Sequence, residues 1–471
     1  MIYRRIYDSA LAQAAYLVGC GDSKEAILFD PERDIDRYER EAQQAGVRIV
    51  AVAETHQHAD FVSGVPAFVA TRPVTAYLSG VGARPEWTAR VAPHAGARVH
   101  WLADREAFAI GSLRFRVRHT PGHTREALSY EFLDADGRPA AIFTGDFLFA
   151  GDVGRPDLGF LGVGGMTIAE SAEAMRRSLA LLDDMPDGTA VLPGHGTGSA
   201  CGKAICRIPE STVGIERIIN RPLRDRSDGE RFLQTLLRDQ PDPPPYFGRV
   251  KATNERGPAL VERVPAPPRL DAQVFVQAAQ DPRCLVVDSR DWGSWVDGHL
   301  PGSIFATFDP YFGPTVANYA EAGDRVLLVA DPAQIEAMVR VLFRVGIDEF
   351  DGWIAPRDFL TIPEEAFEAA GVDEISPCEA ARRLQSGAAA PLDVRSKQEF
   401  RGGHIAGARH VPFIQLPVHV GSLDPAVPLV VYCRSGNRSA RACAYLRRRG
   451  FQVANLRGGY WPYAGRGFPV E

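Results

Sequence analysis

Four short apolar runs each end in a loop carrying histidine or aspartate, and this pattern constrains the fold more than any other feature of the chain. Residues 47–53 lead into Thr55-His56-Gln57-His58-Ala59-Asp60-Phe61, and residues 113–117 into Thr120-Pro121-Gly122-His123-Thr124. Residues 140–143 lead into Thr144-Gly145-Asp146, and residues 190–192 into Pro193-Gly194-His195-Gly196. Apolar, β-branched runs of strand length that stop at Gly, Pro, His or Asp read as strands delivering polar side chains to one rim of a sheet. Helical stretches between them make the segment an α/β layer structure.

At 471 residues, and about 150 residues per domain, the chain should hold about three folded units. Residues 241–268 contain eight prolines, among them Pro243-Pro244-Pro245, and predict a stiff, largely extended connector. Beyond it lies an internal repeat. Asp288-Ser289-Arg290 precedes Gly298-His299-Leu300-Pro301-Gly302-Ser303, and Asp393-Val394-Arg395 precedes Gly403-His404-Ile405-Ala406-Gly407-Ala408 at the same spacing. In each copy a later apolar strand leads into a helix. The junction reads Ala330-Asp331-Pro332-Ala333 in the first copy and Cys433-Arg434-Ser435-Gly436-Asn437-Arg438-Ser439 in the second, so one copy alone keeps a nucleophile there. The domains are therefore placed at 1–240, 269–365 and 374–471, with the connector at 241–268.

With 53 Lys+Arg against 59 Asp+Glu, the net charge of −6 offers no overall positive field for nucleic acid or an anionic bilayer. Seven cysteines, odd in number and scattered, fit a reducing cytoplasm better than a disulfide framework. No apolar run approaches the ~18 residues of a membrane span. Arg4 and Arg5 ahead of Leu17-Val18-Gly19-Cys20 imitate a lipoprotein signal, but Asp8 and Gln13 interrupt it, and two strands around Gly21-Asp22-Ser23 describe the segment better.

The ordered set of four loops resembles the metallo-β-lactamase fold, which implies a sandwich of two mixed sheets with helices on the outer faces. Dinuclear hydrolases of that superfamily carry His-x-His-x-Asp-His, and here Phe61 stands in the last place, so a second metal position loses a donor. The persulfide dioxygenases of the family hold one iron on two histidines and one aspartate, which map onto His56, His123 and Asp146. The resemblance thus implies one Fe(II) per chain, since two His and one carboxylate leave positions open for substrate and O₂. His58, Asp60 and His195 then orient these ligands from behind or remain from a lost second site. Arg155, in Gly151-Asp152-Val153-Gly154-Arg155-Pro156-Asp157, either meets an anionic persulfide or pairs with Asp157. Cys201, soon after His195, is a candidate to lie near the metal and pass sulfur; free cysteines are more often inert and buried.

The Cys433 loop resembles the active-site loop of rhodanese-type sulfurtransferases. A cysteine on a Gly-containing turn at a helix N-terminus meets backbone N–H groups and the positive dipole end, which favours a thiolate and its persulfide. Arg434 or Arg438 would hold a sulfonate-bearing donor or acceptor. A phosphatase needs C-x₅-R; here the sixth position after Cys433 is Ser439. Cys284 lies in a strand ahead of the first Asp-Arg motif and cannot substitute, so docking or spacing is the role assigned to the Cys-less copy.

As a whole the chain resembles fusions of a persulfide dioxygenase with rhodanese-like domains. That implies oxidation of a persulfide of glutathione, coenzyme A or a similar thiol by O₂ to sulfite and thiol in sulfide detoxification, with Cys433 forming or consuming thiosulfate. The competing readings are a dinuclear zinc thioester hydrolase of the glyoxalase type with an appended sulfurtransferase, and a non-catalytic sulfur carrier. The thiol carrier, the direction of sulfur flow and assembly into a homo-oligomer stay open.

Overall fold

The computed structural model describes residues 1–158, 165–261, 263–367 and 372–471. The chain divides into two compact units, one made of Met1–Pro243, Phe247–Val264 and Phe343–Gly346, the other of Pro244–Tyr246, Pro265–Leu342 and Ile347–Glu471. No helix among the described residues is long and apolar enough to cross a membrane.

The first unit is built on two six-stranded sheets. Strands β1 (Ile2–Asp8), β2 (Gln13–Gly19), β3 (Glu25–Phe29), β4 (Arg48–Ala53), β5 (Thr75–Ser79) and β6 (Arg98–Leu102) lie side by side in chain order, antiparallel through β3 and parallel beyond it. The second sheet uses β7 (Ala107–Ile110), β8 (Leu113–His119), β9 (Leu128–Leu133), β10 (Pro139–Gly145), β13 (Ala190–Pro193) and β14 (Ser211–Thr212), in the order β14-β13-β10-β9-β8-β7. A short ribbon, β11 (Leu148–Phe149) with β12 (Asp152–Val153), stands apart.

Side-chain alternation along β2 and β3 makes the layers. Tyr16, Val18 and Phe29 point between the sheets to meet Phe115, Tyr130 and Phe143, while Leu17, Ala26 and Leu28 face helices Asp36–Gln44 and Val65–Thr71 through Tyr38, Ala42, Phe68 and Val69. The Phe29 and Phe143 rings stack at 4.4 Å, and full burial of each such ring contributes about 1.5–3 kcal/mol. On the far face of the second sheet, Ile142 and Val191 cover Ala172 and Met175 of helix Ile168–Ser178. The result is the sandwich of mixed sheets with outer helices that the loop pattern implied.

The connector differs from expectation. Tyr246–Arg256 is an 11-residue helix, lodged in the stretch between Pro245 and Pro258 that contains no proline. Asn254 holds it to the histidine loop, donating Nδ2 to the His58 and Phe61 carbonyls at 2.8 and 2.9 Å and accepting from the Ser63 amide at 2.9 Å. A helix this short draws its stability from such docking rather than from propensity. The segment is therefore not the largely extended connector that its proline content predicted, since 11 of its residues are helical; Glu262 within it lies outside the described residues.

The second unit contains both copies of the repeat. β15 (Cys284–Asp288), β16 (Ile304–Phe305), β17 (Arg325–Val329) and β18 (Phe350–Ile354) form a parallel sheet ordered β16-β15-β17-β18. β19 (Val372–Ile375), β20 (Ala390–Asp393), β21 (Arg409–His410), β22 (Leu429–Tyr432) and β23 (Val453–Leu456) form another, ordered β21-β20-β22-β23-β19, with β19 the addition. The repeated Asp-x-Arg motif does the same work twice: Arg290 Nη2 donates to Asp288 at 2.6 Å and to the Gly298 carbonyl at 2.7 Å, and Arg395 Nη2 to Asp393 and Gly403 at the same distances. Asp288 pairs in register with Val329 and Asp393 with Tyr432, so Ala330 occupies the place of Cys433.

Candidate metal centre and cysteine loop

Three of the four rim loops of the first unit bring His56, His123 and Asp146 together, all buried. Asp146 Oδ2 is 3.9 Å from His56 Nε2 and 3.5 Å from His123 Nε2. The rings are aimed from behind. Thr55 Oγ1 donates to Asp30 Oδ2 at 2.9 Å, which leaves it to accept from His56 Nδ1 at 3.0 Å; His123 Nδ1 donates to the Arg155 carbonyl at 3.0 Å. Both Nε2 lone pairs are thereby left for the cluster. Gly145 sits at φ 49°, and a Cβ there would lie 2.2 Å from Thr55 Oγ1, so the turn that presents Asp146 requires glycine.

The electrostatics call for a cation. Burial and the neighbouring His58 and His123 hold His56 well below the usual imidazole range, and burial lowers His123 as well, so both rings are neutral. Neither buried oxygen of Asp146 receives a hydrogen bond among the described residues. Unmatched buried acceptors are costly. The two histidine–Asp146 separations, 3.5 and 3.9 Å, are ones that a single ion bonded at about 2.0–2.2 Å bridges, and the residues fit a metal ion.

His58 stands behind this group. Its Nε2 meets Asp30 Oδ1 at 3.1 Å, and although burial opposes its charge, Asp30, Asp60 and Glu54 push it up to about 9. Phe61 is fully buried with its ring 4.2 Å from that of His58. Asp60, His195 and Cys201 form a second buried donor group: His195 Nε2 is 3.3 Å from Asp60 Oδ2 and 3.5 Å from Asp146 Oδ1. Burial, with Asp146 and Asp60 nearby, pushes the Cys201 thiol well up.

Arg155 is the clearest departure from a substrate role. Its side chain is buried and donates to both oxygens of Asp157 at 2.7 Å, to the Ala200 carbonyl at 2.9 Å and to the Pro241 carbonyl at 2.7 Å. Those bonds take four of its five N–H donors, so it pins loops together and favours the Asp157 pair over an anionic substrate.

Two features had no counterpart in the sequence reading. Asp30, at the end of β3 in the left-handed region at φ 50°, orients both Thr55 and His58; an aspartate closing a strand ahead of Pro31 was the available signal. Beside His56 opens a cavity of about 170 Å³ lined also by Trp101, Glu126, Lys251 and Glu255. Lys251 and Glu255 come from the connector helix, which left no sequence signal of a site.

In the second unit Cys433 follows β22 and is buried. Gly436, at φ 102°, caps helix Asn437–Arg448 and turns its amide toward Cys433 Sγ at 3.1 Å; Ser439 Oγ is 3.5 Å from the sulfur. Arg438 is bound through two 2.7 Å bonds to Glu399, so it braces the turn, while Arg434 is exposed. Cys284, in β15, is pushed by burial to about 12.

Residues 9–195 match the family described as Metallo-beta-lactamase superfamily, and residues 376–464 the Rhodanese-like domain. A hydroxyacylglutathione hydrolase of Chromohalobacter salexigens is 30% identical over 281 residues, 57% of this chain and 90% of the relative. A sulfurtransferase of Allochromatium vinosum is 39% identical over 80 residues, 17% of this chain and 75% of the relative. A solved metallo-beta-lactamase structure from Staphylococcus aureus aligns at 31% identity with a TM-score of 0.66, covering 76% of this chain and 99% of that one. This chain belongs to the metallo-β-lactamase superfamily and carries a rhodanese-like domain as well.

Proposed function

We propose that the first unit oxidises a low-molecular-weight persulfide with O₂ and that the rhodanese-like domain transfers sulfane sulfur through Cys433. The carrying observation is the donor set: with His58 bound to Asp30 and Phe61 beside it, His56, His123 and Asp146 are grouped as two imidazoles and one carboxylate, and His56 lines the cavity. Ferrous iron on His56, His123 and Asp146 would supply open positions for oxygen chemistry. The chain's own residues bind and orient. Lys251, whose ammonium burial disfavours, lies close enough to act on His56 and His123 and offsets the charge of an entering persulfide anion. Trp101, Leu78, Val81 and Pro85 give the cavity an apolar wall for the carrier. The balance is RSSH + O₂ + H₂O → RSH + SO₃²⁻ + 2 H⁺, the sulfane sulfur losing four electrons to O₂. The carrier thiol is that of glutathione, coenzyme A or a similar compound.

At the second site a Cys433 persulfide reacts with sulfite: the S–S bond breaks, the outer sulfur joins sulfite as thiosulfate, and the Cys433 thiolate leaves. Gly436 N–H steadies that sulfur, and Arg434 draws in the oxyanion. Run backwards, thiosulfate reloads Cys433.

One observation favours a second reading. Asp60, His195 and Cys201 offer a further donor group next to Asp146, as a dinuclear thioester hydrolase would require, and hydroxyacylglutathione hydrolases are among the similar proteins. Metal quantification with product analysis separates the two. One iron per chain and sulfite formed from glutathione persulfide support the dioxygenase; two zinc per chain and hydrolysis of a glutathione thioester without sulfite overturn it.

A further inference from the structure

The Cys-less copy holds no nucleophile at its junction, yet it grips the helix that carries the sulfur loop. Arg441, one turn into helix Asn437–Arg448, is buried and donates Nη2 to Thr307 Oγ1 at 2.7 Å and to the Asp309 carboxylate, both from the stretch just after β16. Its Nη1 reaches the carbonyl of Asn437, the first residue of the helix, at 3.3 Å. Further along, the Tyr319 and Tyr445 rings stack at 4.3 Å, and Arg449 pairs with Glu321. Tyr319 also donates to the Phe413 carbonyl at 3.0 Å. Near the loop itself, half-exposed Tyr311 lies close enough to act electrostatically on Arg438.

The Cys-less copy shows why it does not serve as a site of its own. Ala330 stands in the place of Cys433, and the turn that follows is closed by its own aspartate, Asp331 Oδ1 accepting from the Ala333 amide at 2.8 Å. What it keeps is a carboxylate and a hydroxyl turned outward onto its neighbour.

We propose that the Cys-less copy is the positioning half of the sulfurtransferase site. Asp309 and Thr307 fix Arg441, Arg441 fixes the first turn of the helix through Asn437, and the Gly436 amide and Ser439 hydroxyl of that turn are thereby held against Cys433 Sγ. Asp309 is a positioning residue and touches no substrate. The physical basis is that a buried guanidinium left without its carboxylate does not stay in place: it turns toward water or another acceptor and carries the turn it is bonded to with it. The inference rests on the sulfur-transfer reading of Cys433.

The test uses the full chain with Asp309→Asn, Asp309→Glu and Thr307→Ala. Three quantities are followed: kcat and KM for thiosulfate with cyanide, the iodoacetamide alkylation rate of Cys433 read on its own peptide by mass spectrometry at fixed pH, and melting temperature. The expected result for Asp309→Asn is a fall of about tenfold in kcat and in alkylation rate with KM unchanged, the loss of a charge-assisted hydrogen bond acting at one remove. Asp309→Glu recovers most of it, and Thr307→Ala, which removes a neutral bond and keeps the charge pair, loses about two- to threefold. A lower melting temperature with kcat and alkylation unchanged in the folded protein overturns the proposal, since Asp309 is then mere packing. Should Asp309→Asn fail to fold, an unchanged alkylation rate in Thr307→Ala overturns it equally. If the unaltered chain transfers no sulfur, the reading of Cys433 fails, while the alkylation series still decides whether Asp309 governs that sulfur.

Discussion

The rim of the first unit gathers lone pairs that have no donors, whereas the turn after β22 gathers donors around one sulfur. His56, His123, His195, Asp60 and Asp146 turn buried acceptor atoms toward one another, an arrangement unfavourable until a cation arrives. Around Cys433 the Gly436 amide and the start of a 12-residue helix favour an anion without any added group. The first site therefore depends on a bound ion and the second on the protein's own turn, so each should be separable from the other.

The largest effect should come from crossed variants. Asp146→Ala should lower metal retention and oxygen consumption by more than about 100-fold, beyond the 10–100-fold typical of a supporting partner, and leave thiosulfate:cyanide transfer intact. Cys433→Ser should do the reverse, and dialysis against a chelator should mimic Asp146→Ala; loss of both activities in one variant would break the comparison. A smaller effect sharpens it on the sulfur side. Ser439→Ala removes a hydroxyl that lies 3.5 Å from Cys433 Sγ and donates to Asn455 Oδ1 at 2.7 Å, and should slow transfer about fivefold, the worth of one hydrogen bond holding the turn, with oxygen consumption unchanged.

The smallest effect concerns pH. Burial alone would push Glu399 up, but Arg438 and the Ser396 amide bring it down to about 2 from 4.5. A carboxyl depressed on folding contributes stability that is complete above its unfolded value and is lost as pH falls through its folded one. The melting temperature of the rhodanese-like domain in the full chain should fall between about pH 4.5 and pH 2, and Glu399→Gln should flatten that slope. An equal slope in the variant would show that the Arg438 pair does not brace the turn.

The rim loops were legible because strand ends are punctuated by His, Gly, Pro and Asp, and the repeat because both copies need the same Asp–Arg clamp at the same spacing. The junction difference at Ala330 and Cys433 could be read for the same reason. What sequence hid was partner choice. Arg155 had Asp157 two residues away, so an ion pair was a visible alternative, but Arg438 is held by Glu399, 39 residues earlier, which no local pattern announces. The connector helix was hidden by its flanking prolines, and with it Lys251, since docking against the histidine loop rather than propensity decides its structure.

Oxygen consumption is the most direct test of the iron-centred chemistry. An electrode trace on freshly purified, iron-quantified protein given glutathione persulfide or coenzyme A persulfide should show uptake of one O₂ per persulfide consumed, with sulfite appearing in step. No uptake with either persulfide, together with turnover of a glutathione thioester by the same preparation, would contradict it.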